Sequence, residues 1–224
     1  MRVIEVFRGE AVQLAGVLAG LTESEIARPT RCAPWNVREL VAHVSLGAGR
    51  VVGMLAEPAP ARAEVDAAAY FGPAKFAPAT DTARVDTARR HGAGFGRDLA
   101  EEFARSWRAG YAASLAAPPG RLVRTRHGDP MTLEEFLVTR VVELGVHGLD
   151  LAAALDREPW LTEPAGELIA GLLIRAAGPA AAGLAEEHRW DRPTLVAKAT
   201  GRRPLTAAER TDLDRRGVRW PSFS

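Results

Sequence analysis

Cysteine is almost absent from this 224-residue chain, in which Cys32 is the one example. A single cysteine excludes an intrachain disulfide, a CxxC redox pair and a cysteine-rich zinc module. Lysine is nearly as rare, because only Lys75 and Lys198 contribute to the 29 basic residues and arginine supplies the others. We attribute the arginine excess to a GC-rich genome, so its abundance alone indicates no function. The scarcity of thiols predicts a cytoplasmic protein.

The chain also lacks a strong net charge and a long apolar run. Its 29 Lys and Arg residues nearly balance 28 Asp and Glu residues, for a formal net charge of +1. That balance gives no global field to attract nucleic acid or an anionic membrane. No stretch reaches the roughly 18 apolar residues of a membrane span, and charged residues interrupt the N-terminal region where a signal peptide has its apolar core. We therefore expect no nucleic-acid partner, no membrane insertion and no export.

What the chain does contain is typical of a globular domain, with 47% hydrophobic and 25% charged residues. A chain of this length buries roughly 70% of the surface that its unfolded form exposes, so it needs neither disulfides nor a structural metal. Any bound metal would therefore serve function.

Four segments carry the apolar periodicity of long helices. The first predicted helix covers residues 6–20, and the second follows a cap at Asn36 and runs to about residue 55. A third helical region begins near Thr80, is weakened by glycines, and resumes over residues 99–115. The fourth helix begins at the capping-box pattern of Thr132 and Glu135 and ends near residue 155.

The predicted fold class is mainly α: a four-helix bundle with a short C-terminal α/β extension. Residues 57–80 contain four prolines and are predicted to form a long loop with at most a short helix near 62–70. Residues 121–127 favour a short strand or hairpin before the fourth helix. We place the bundle in residues 1–157.

The extension, residues 158–224, is predicted to pack on the bundle. Its pattern indicates a helix near 163–176, a break at 178–183 and a strand at 194–198. A short final helix is capped by Thr206, with a glutamate three residues later.

Two of the five histidines lie in the middle of the most apolar helices, His43 in the second and His147 in the fourth. A buried imidazole must find a hydrogen bond or a metal, because it loses hydration that it cannot otherwise recover. Glu143 precedes His147 by one helical turn, so both side chains lie on one face. If the second and fourth helices are neighbours, His43 completes a set of two imidazoles and one carboxylate with open metal positions.

Simpler readings fit the same spacing. Either histidine could be a hydrogen-bonded core residue, and Glu143 with His147 could be an ordinary helical pair. Asp150, three residues beyond His147, could support the histidine or be an exposed acid. The spacing alone leaves these alternatives and the metal site open.

Two separated segments resemble the signature stretches of the mycothiol-dependent maleylpyruvate isomerase family, a branch of the DinB-like four-helix bundles. They are Ala33-Pro-Trp-Asn-Val-Arg-Glu-Leu-Val-Ala-His43 and Arg140-Val-Val-Glu-Leu-Gly-Val-His-Gly-Leu-Asp-Leu151. Residues 128–137 and 200–210 are also similar to family members. The resemblance covers most of the chain, although its specific part is the two histidine segments.

The resemblance implies that His43, Glu143 and His147 bind one divalent metal, usually zinc, and that the open site takes the thiol of mycothiol. Zinc-bound thiols lose their proton, which produces a nucleophile at neutral pH. Cys32 is then not needed as a nucleophile, and we interpret it as an inert thiol.

The family also uses an arginine in the connection between its second and third helices to bind a dicarboxylate. Arg84 is the nearest match, and Arg89 and Arg90 compete with it. We assign Arg84 to catalysis, and Arg84 and Trp35 to cofactor binding, although Trp35 could equally be a core anchor. The isomerase of the family has a larger C-terminal domain than this chain, so the resemblance does not identify the substrate.

The functional prediction is a zinc-dependent enzyme that activates mycothiol to isomerise, or to form a thiol adduct with, an electrophilic small molecule. One alternative is a metal-binding bundle without turnover, acting in stress response or sensing. Another is an iron(II) enzyme, since the same ligand types suit that metal. The sequence does not predict the oligomeric state.

Overall fold

The computed structural model describes residues 2–71, 78–95 and 98–221. The regular secondary structure of these residues consists of helices and one two-stranded hairpin. The helices before the hairpin are α1 (Val3–Leu18), α2 (Glu23–Ile26), α3 (Val37–Ala56), α4 (Ala67–Tyr70), α5 (Pro78–Ala93) and α6 (Leu99–Ala116). The strands are β1 (Leu122–Arg124) and β2 (Pro130–Thr132), which pair antiparallel. The helices after it are α7 (Leu133–Leu155), α8 (Glu163–Ala177), α9 (Pro179–Glu187), α10 (Arg192–Ala199) and α11 (Ala207–Arg215).

The four long predicted segments form a bundle of α1, α3, α6 and α7. Helices α1 and α3 each pack against both α6 and α7, and α5 lies against α3. One large side chain from each bundle helix is fully buried in the shared core: Phe7, Leu40, Phe103 and Phe136. The predicted mainly α bundle is therefore confirmed.

Side-chain caps fix where α3, which contains His43, and α7, which contains His147, begin. The Asn36 side chain accepts a hydrogen bond from the Glu39 amide, and the Glu39 carboxylate accepts one from the Asn36 amide. Thr132 accepts a bond from the Glu135 amide at the start of α7. These caps satisfy amides that lack partners within the helix. They therefore fix the residue at which α3 and α7 each begin, and with it the residues that face the core.

Helix α3 is long and apolar enough, by length and composition, to cross a membrane; no other helix in the described ranges is. Half of its most apolar window is buried against the other helices, as is usual for a core helix of a bundle.

The predicted break at 178–183 and strand at 194–198 are wrong, because α9 and α10 occupy these positions. Gly178 ends α8, and Pro179 then begins α9 at a position where a missing amide hydrogen costs nothing. Asp191 caps α10 by accepting a bond from the Thr194 amide. The apolar residues that suggested a strand are buried on one helical face, and no described residue of the extension lies in a strand.

Three further local predictions agree with the structure: the interrupted third helical region, the short helix near 62–70 and the cap at Thr206. The weakened third region divides into α5 and α6, and α4 lies at the end of the predicted 62–70 window. Thr206 forms the expected capping box at α11. Residues 72–77 of the predicted long loop lie outside the described residues.

The extension shares the core of the bundle. Helix α8 packs along α7, and α10 packs on α8. Leu172, Leu184 and Leu195 of the extension are fully buried and belong to the same apolar cluster as the bundle residues. This packing brings the segment after α10 to the end of α7.

We predict that Gly110→Ala destabilises the fold by about 1–3 kcal/mol, because overpacking of a close helix crossing forces the backbones apart. A Cβ at Gly110 in α6 would lie 2.2 Å from the Ala48 carbonyl oxygen of α3. Gly53→Ala is the matched control, since nothing lies within 4 Å of its Cβ position. It should stabilise α3 by about 0.5–1 kcal/mol. Urea denaturation measures both, and equal effects would contradict this account of the crossing.

Candidate metal centre

A stripe of four ionisable side chains runs along α7. Arg140, Glu143, His147 and Asp150 follow one another at intervals of three or four residues, which places them on the same side of the helix. Asp150 is fully buried, Arg140 and His147 are 6% exposed, and the Glu143 side chain is partly buried. Because water barely reaches this stripe, each group must find its partner within the protein or in a ligand.

The carboxylate of Glu143 joins the two predicted histidines. Its Oε2 atom lies 3.1 Å from Nε2 of His43 on α3 and 3.5 Å from Nε2 of His147. The two imidazoles meet edge to face, with ring centroids 5.2 Å apart. One potential ligand atom from each of the three residues lies within 4.8 Å of the others. The structure thus brings together side chains that are about 100 residues apart in the chain.

Burial and hydrogen bonding set the charges of these groups. Burial lowers the pKa of His43 to about 4, against the opposing effect of Glu143. Burial alone would raise the pKa of Glu143, but hydrogen bonds from His147 and His43 hold it well below its usual range. Burial opposes the charged form of His147 as well, yet its hydrogen bonds to Asp150, Cys32 and Glu143 raise its pKa well above the usual value. A neutral His43 and an ionised Glu143 are the forms that bind metal, whereas His147 would release its Nε2 proton when a metal binds.

Asp150 engages the opposite side of the His147 ring. Its Oδ2 atom lies 3.0 Å from Nδ1 of His147 and accepts a bond of 3.2 Å from the Cys32 thiol. Arg202, from the segment after α10, donates to both carboxylate oxygens, at 3.0 Å and 2.8 Å. Although burial alone would raise the pKa of Asp150, His147 and Arg202 hold it well below its ordinary value. The carboxylate therefore stays ionised, and a bond to Nδ1 directs the other ring nitrogen towards Glu143.

A second group of potential ligands, Cys32, His147 and Asp150, also lies within 4.8 Å. It suits a cation less well, because the Arg202 guanidinium already occupies both oxygens of Asp150 and brings a positive charge to that position. The group that contains Glu143 is the better metal site. Sequence reasoning did not place Cys32 next to Asp150.

Trp35 and Arg84 lie beside the site. The Trp35 ring stacks on the His43 imidazole at a centroid distance of 4.8 Å, and the Arg84 guanidinium carbon lies 5.7 Å from the Trp35 ring centre. Of the competing arginines, Arg89 pairs with Glu39 at 3.3 Å, and Arg90 donates to a threonine of its own helix. Neither Arg89 nor Arg90 lines the cavity next to His43, whereas Arg84 does. The roles of Trp35 and Arg84 stay predictions.

A cationic cavity opens next to His43 and Glu143. Its basic lining residues are Arg50, Arg84, Arg126, His127 and Arg140. Glu143 is the one carboxylate among the described residues that line this cavity, and the charge of Arg140 helps to lower its pKa.

Arg140 is held in this cavity by packing. Its guanidinium carbon lies 4.8 Å from the Phe136 ring centre and 6.0 Å from that of Tyr70. A Cβ at Gly47 would lie 2.6 Å from Nη1 of Arg140, so the absence of a side chain there makes room for the guanidinium. Burial, together with the guanidiniums of Arg126 and Arg140, lowers the pKa of Arg50. Such concentrated positive charge favours an anionic ligand.

Sequence reasoning missed the arginines of the cavity other than Arg84, because 27 arginines obscured them. The spacing of Arg140, one turn before Glu143 on a helix without a polar face, was the signal that could have identified it.

Comparison with known proteins gives two matches. The sequence profile of the mycothiol maleylpyruvate isomerase N-terminal domain matches residues 7–152. A crystal structure of a mutant of the mycothiol-dependent maleylpyruvate isomerase superposes with a TM-score of 0.54 at 14% sequence identity, covering 81% of this chain and 70% of that one. At this identity, the structural match supports the fold alone. No curated protein sequence matches the chain significantly.

We predict that Asp150→Ala costs about 3–5 kcal/mol of stability, because it leaves the Arg202 guanidinium buried without its partner. Asp214→Ala is the control, since its ion pair with Arg219 is 65% and 73% exposed. Its loss should cost less than about 1 kcal/mol. Urea denaturation of both variants measures the difference, and a cost for Asp150→Ala as small as that of the control would contradict the buried network.

Proposed function

Because the chain belongs to the mycothiol maleylpyruvate isomerase N-terminal domain family, we propose that it is a zinc-dependent enzyme that directs the thiol of mycothiol at an electrophilic small molecule. The observation that carries the proposal is the convergence of His43, Glu143 and His147 beside a cationic cavity.

The donor set fits zinc. Two imidazole nitrogens and one carboxylate oxygen form a three-residue ligand set that zinc enzymes use while leaving a position for a further ligand. The lowered pKa values of His43 and Glu143 favour the forms that bind metal, and His147 would release its Nε2 proton on binding. All three side chains are largely withdrawn from solvent. When bound there, zinc would supply a Lewis acid that stabilises the thiolate form of the cosubstrate.

The protein's own residues hold this arrangement in place. Asp150 fixes the ring of His147 through Nδ1, so that Nε2 is left for ligation. The stacked Trp35 ring covers one face of His43 and limits its rotation. The surrounding helices exclude water, which strengthens every charge interaction inside the site.

The cavity indicates the charge of the substrate. Arg50, Arg84, Arg126 and Arg140 line the cavity, and Glu143 is the one carboxylate among its described lining residues. The cavity is shared with two of the candidate ligands, His43 and Glu143. A substrate with one or more carboxylates would balance the remaining positive charge. We therefore propose an acidic electrophile as the substrate.

Isomerisation is the reaction that the family name favours. The thiol adds to an activated carbon–carbon double bond, the new single bond rotates, and elimination returns the thiol and the isomerised alkene. If the adduct is released before elimination, the same site acts as an S-transferase.

We predict about one zinc per wild-type chain and a sharp loss of zinc in His43→Ala, Glu143→Ala and His147→Ala, because each variant removes one ligand. His188→Ala is the control, since His188 bonds Asp212 in the extension. Elemental analysis after purification without chelators measures the metal. Retention of zinc in all three variants would reject the ligand assignment, and stoichiometric iron in the wild-type protein would favour the iron(II) alternative.

A kinetic prediction concerns the cavity. With mycothiol and maleylpyruvate as the acidic electrophile, Arg50→Gln should lower kcat/KM about 10- to 100-fold, because it removes a charge-assisted contact worth about 1.5–3 kcal/mol. The neutral diester of maleylpyruvate should react with both proteins at similar rates. Arg105→Gln, an exposed control on α6, should change neither rate.

Equal losses with the acid and the diester would contradict the assignment of Arg50 to substrate charge. If the zinc-loaded wild-type protein consumes neither electrophile, a metal-binding bundle without turnover becomes the better account.

A further inference from the structure

A buried side chain of the C-terminal extension, that of Arg202, contacts the candidate metal centre. Arg202 follows α10 and lies beyond the residues matched by the family profile, 7–152. Its Nε and Nη2 atoms donate to the two oxygens of Asp150, and the side chains of Arg202 and Asp150 are 6% and 0% exposed. The third guanidinium nitrogen donates to the Thr200 carbonyl at 2.8 Å. The guanidinium is thus held from both sides.

These contacts continue to the ring of His147. Asp150 Oδ2, which accepts the 2.8 Å bond from Arg202, is the same atom that lies 3.0 Å from His147 Nδ1. A carboxylate on a free side chain can rotate, but two parallel N–H bonds from a planar guanidinium fix its plane. With the carboxylate fixed, the ring of His147 is fixed as well, and its Nε2 atom is directed towards Glu143.

We propose that Arg202 is a positioning residue for the metal centre. Its two bonds to Asp150 hold the His147 ring in the orientation in which Nε2 faces Glu143 and His43. This inference rests on the metal site of the proposed function, and it assigns to the extension a direct part in forming that site.

No neighbouring group among the described residues can take over this contact. Arg31 is the other cation near Asp150, but its Nε lies 3.7 Å from Oδ1, and its side chain is 45% exposed. Arg31 donates instead to the Gly201 carbonyl at 2.8 Å. Arg203, the next residue in the chain, extends to Thr194 at 3.4 Å. Arg203 therefore offers a matched control in the same segment.

The test compares Arg202→Gln, Arg202→Lys and Arg203→Gln with the wild-type protein. Competition with a chelator measures zinc affinity, and NMR of the imidazole Nδ1–H of His147 in the zinc-loaded protein reports its hydrogen bond to Asp150 without reference to activity. Arg202→Gln should bind zinc about 10- to 100-fold more weakly, as losses of groups that orient metal ligands do. In that variant the Nδ1–H signal of His147 should shift, because its acceptor is no longer fixed, whereas Arg203→Gln should match the wild type in both measurements.

Arg202→Lys separates positioning from stability, because it keeps the buried charge but loses the planar pair of bonds. We expect it to fold and to bind zinc more weakly than the wild type. Wild-type affinity and an unchanged Nδ1–H signal of His147 in either folded Arg202 variant would overturn the inference and leave the metal site standing. A wild-type protein that binds no zinc would overturn the metal site and the inference together.

Discussion

The ionisable stripe of α7 is the constraint on which the site depends. Four ionisable residues lie along a helix that is buried on most of its surface: Arg140, Glu143, His147 and Asp150. Their side chains therefore need partners of opposite charge or hydrogen-bond partners from other helices and segments. Helix α3 brings His43 to Glu143, and the segment after α10 brings a guanidinium to Asp150. The packing of the bundle and of the extension is therefore part of the chemistry of the site.

The free-energy cost of burying charged groups indicates that this stripe serves function rather than stability. Desolvating a carboxylate and a guanidinium costs several kcal/mol per ion, and well-packed apolar side chains often replace a buried ion pair without loss of stability (roughly neutral to 4 kcal/mol gained). The Asp150–Arg202 pair is nevertheless almost fully buried. Its position against the ring of His147 explains why charge is useful there, since an apolar pair could not orient an imidazole.

Much of the fold and the central part of the site could be predicted from the sequence. The 3.6-residue periodicity and the caps at Asn36 and Thr132 located α3 and α7, and the four-residue spacing of Glu143 and His147 placed them on one face. The strand expected at 194–198 was wrong because a short apolar run does not distinguish strand from helix, and the cap at Asp191 was overlooked. The contact between Asp150 and Arg202 spans 52 residues, and no local pattern specifies a pairing of that kind.

X-ray absorption spectroscopy of the zinc-loaded protein, before and after addition of mycothiol, tests the central claim most directly. The account predicts only nitrogen and oxygen ligands at about 2.0–2.2 Å before addition, and one sulfur at about 2.3 Å afterwards. A sulfur ligand before mycothiol is added would place the metal on Cys32 and contradict the assignment to His43, Glu143 and His147. The absence of sulfur after addition would contradict the proposed binding of the thiol.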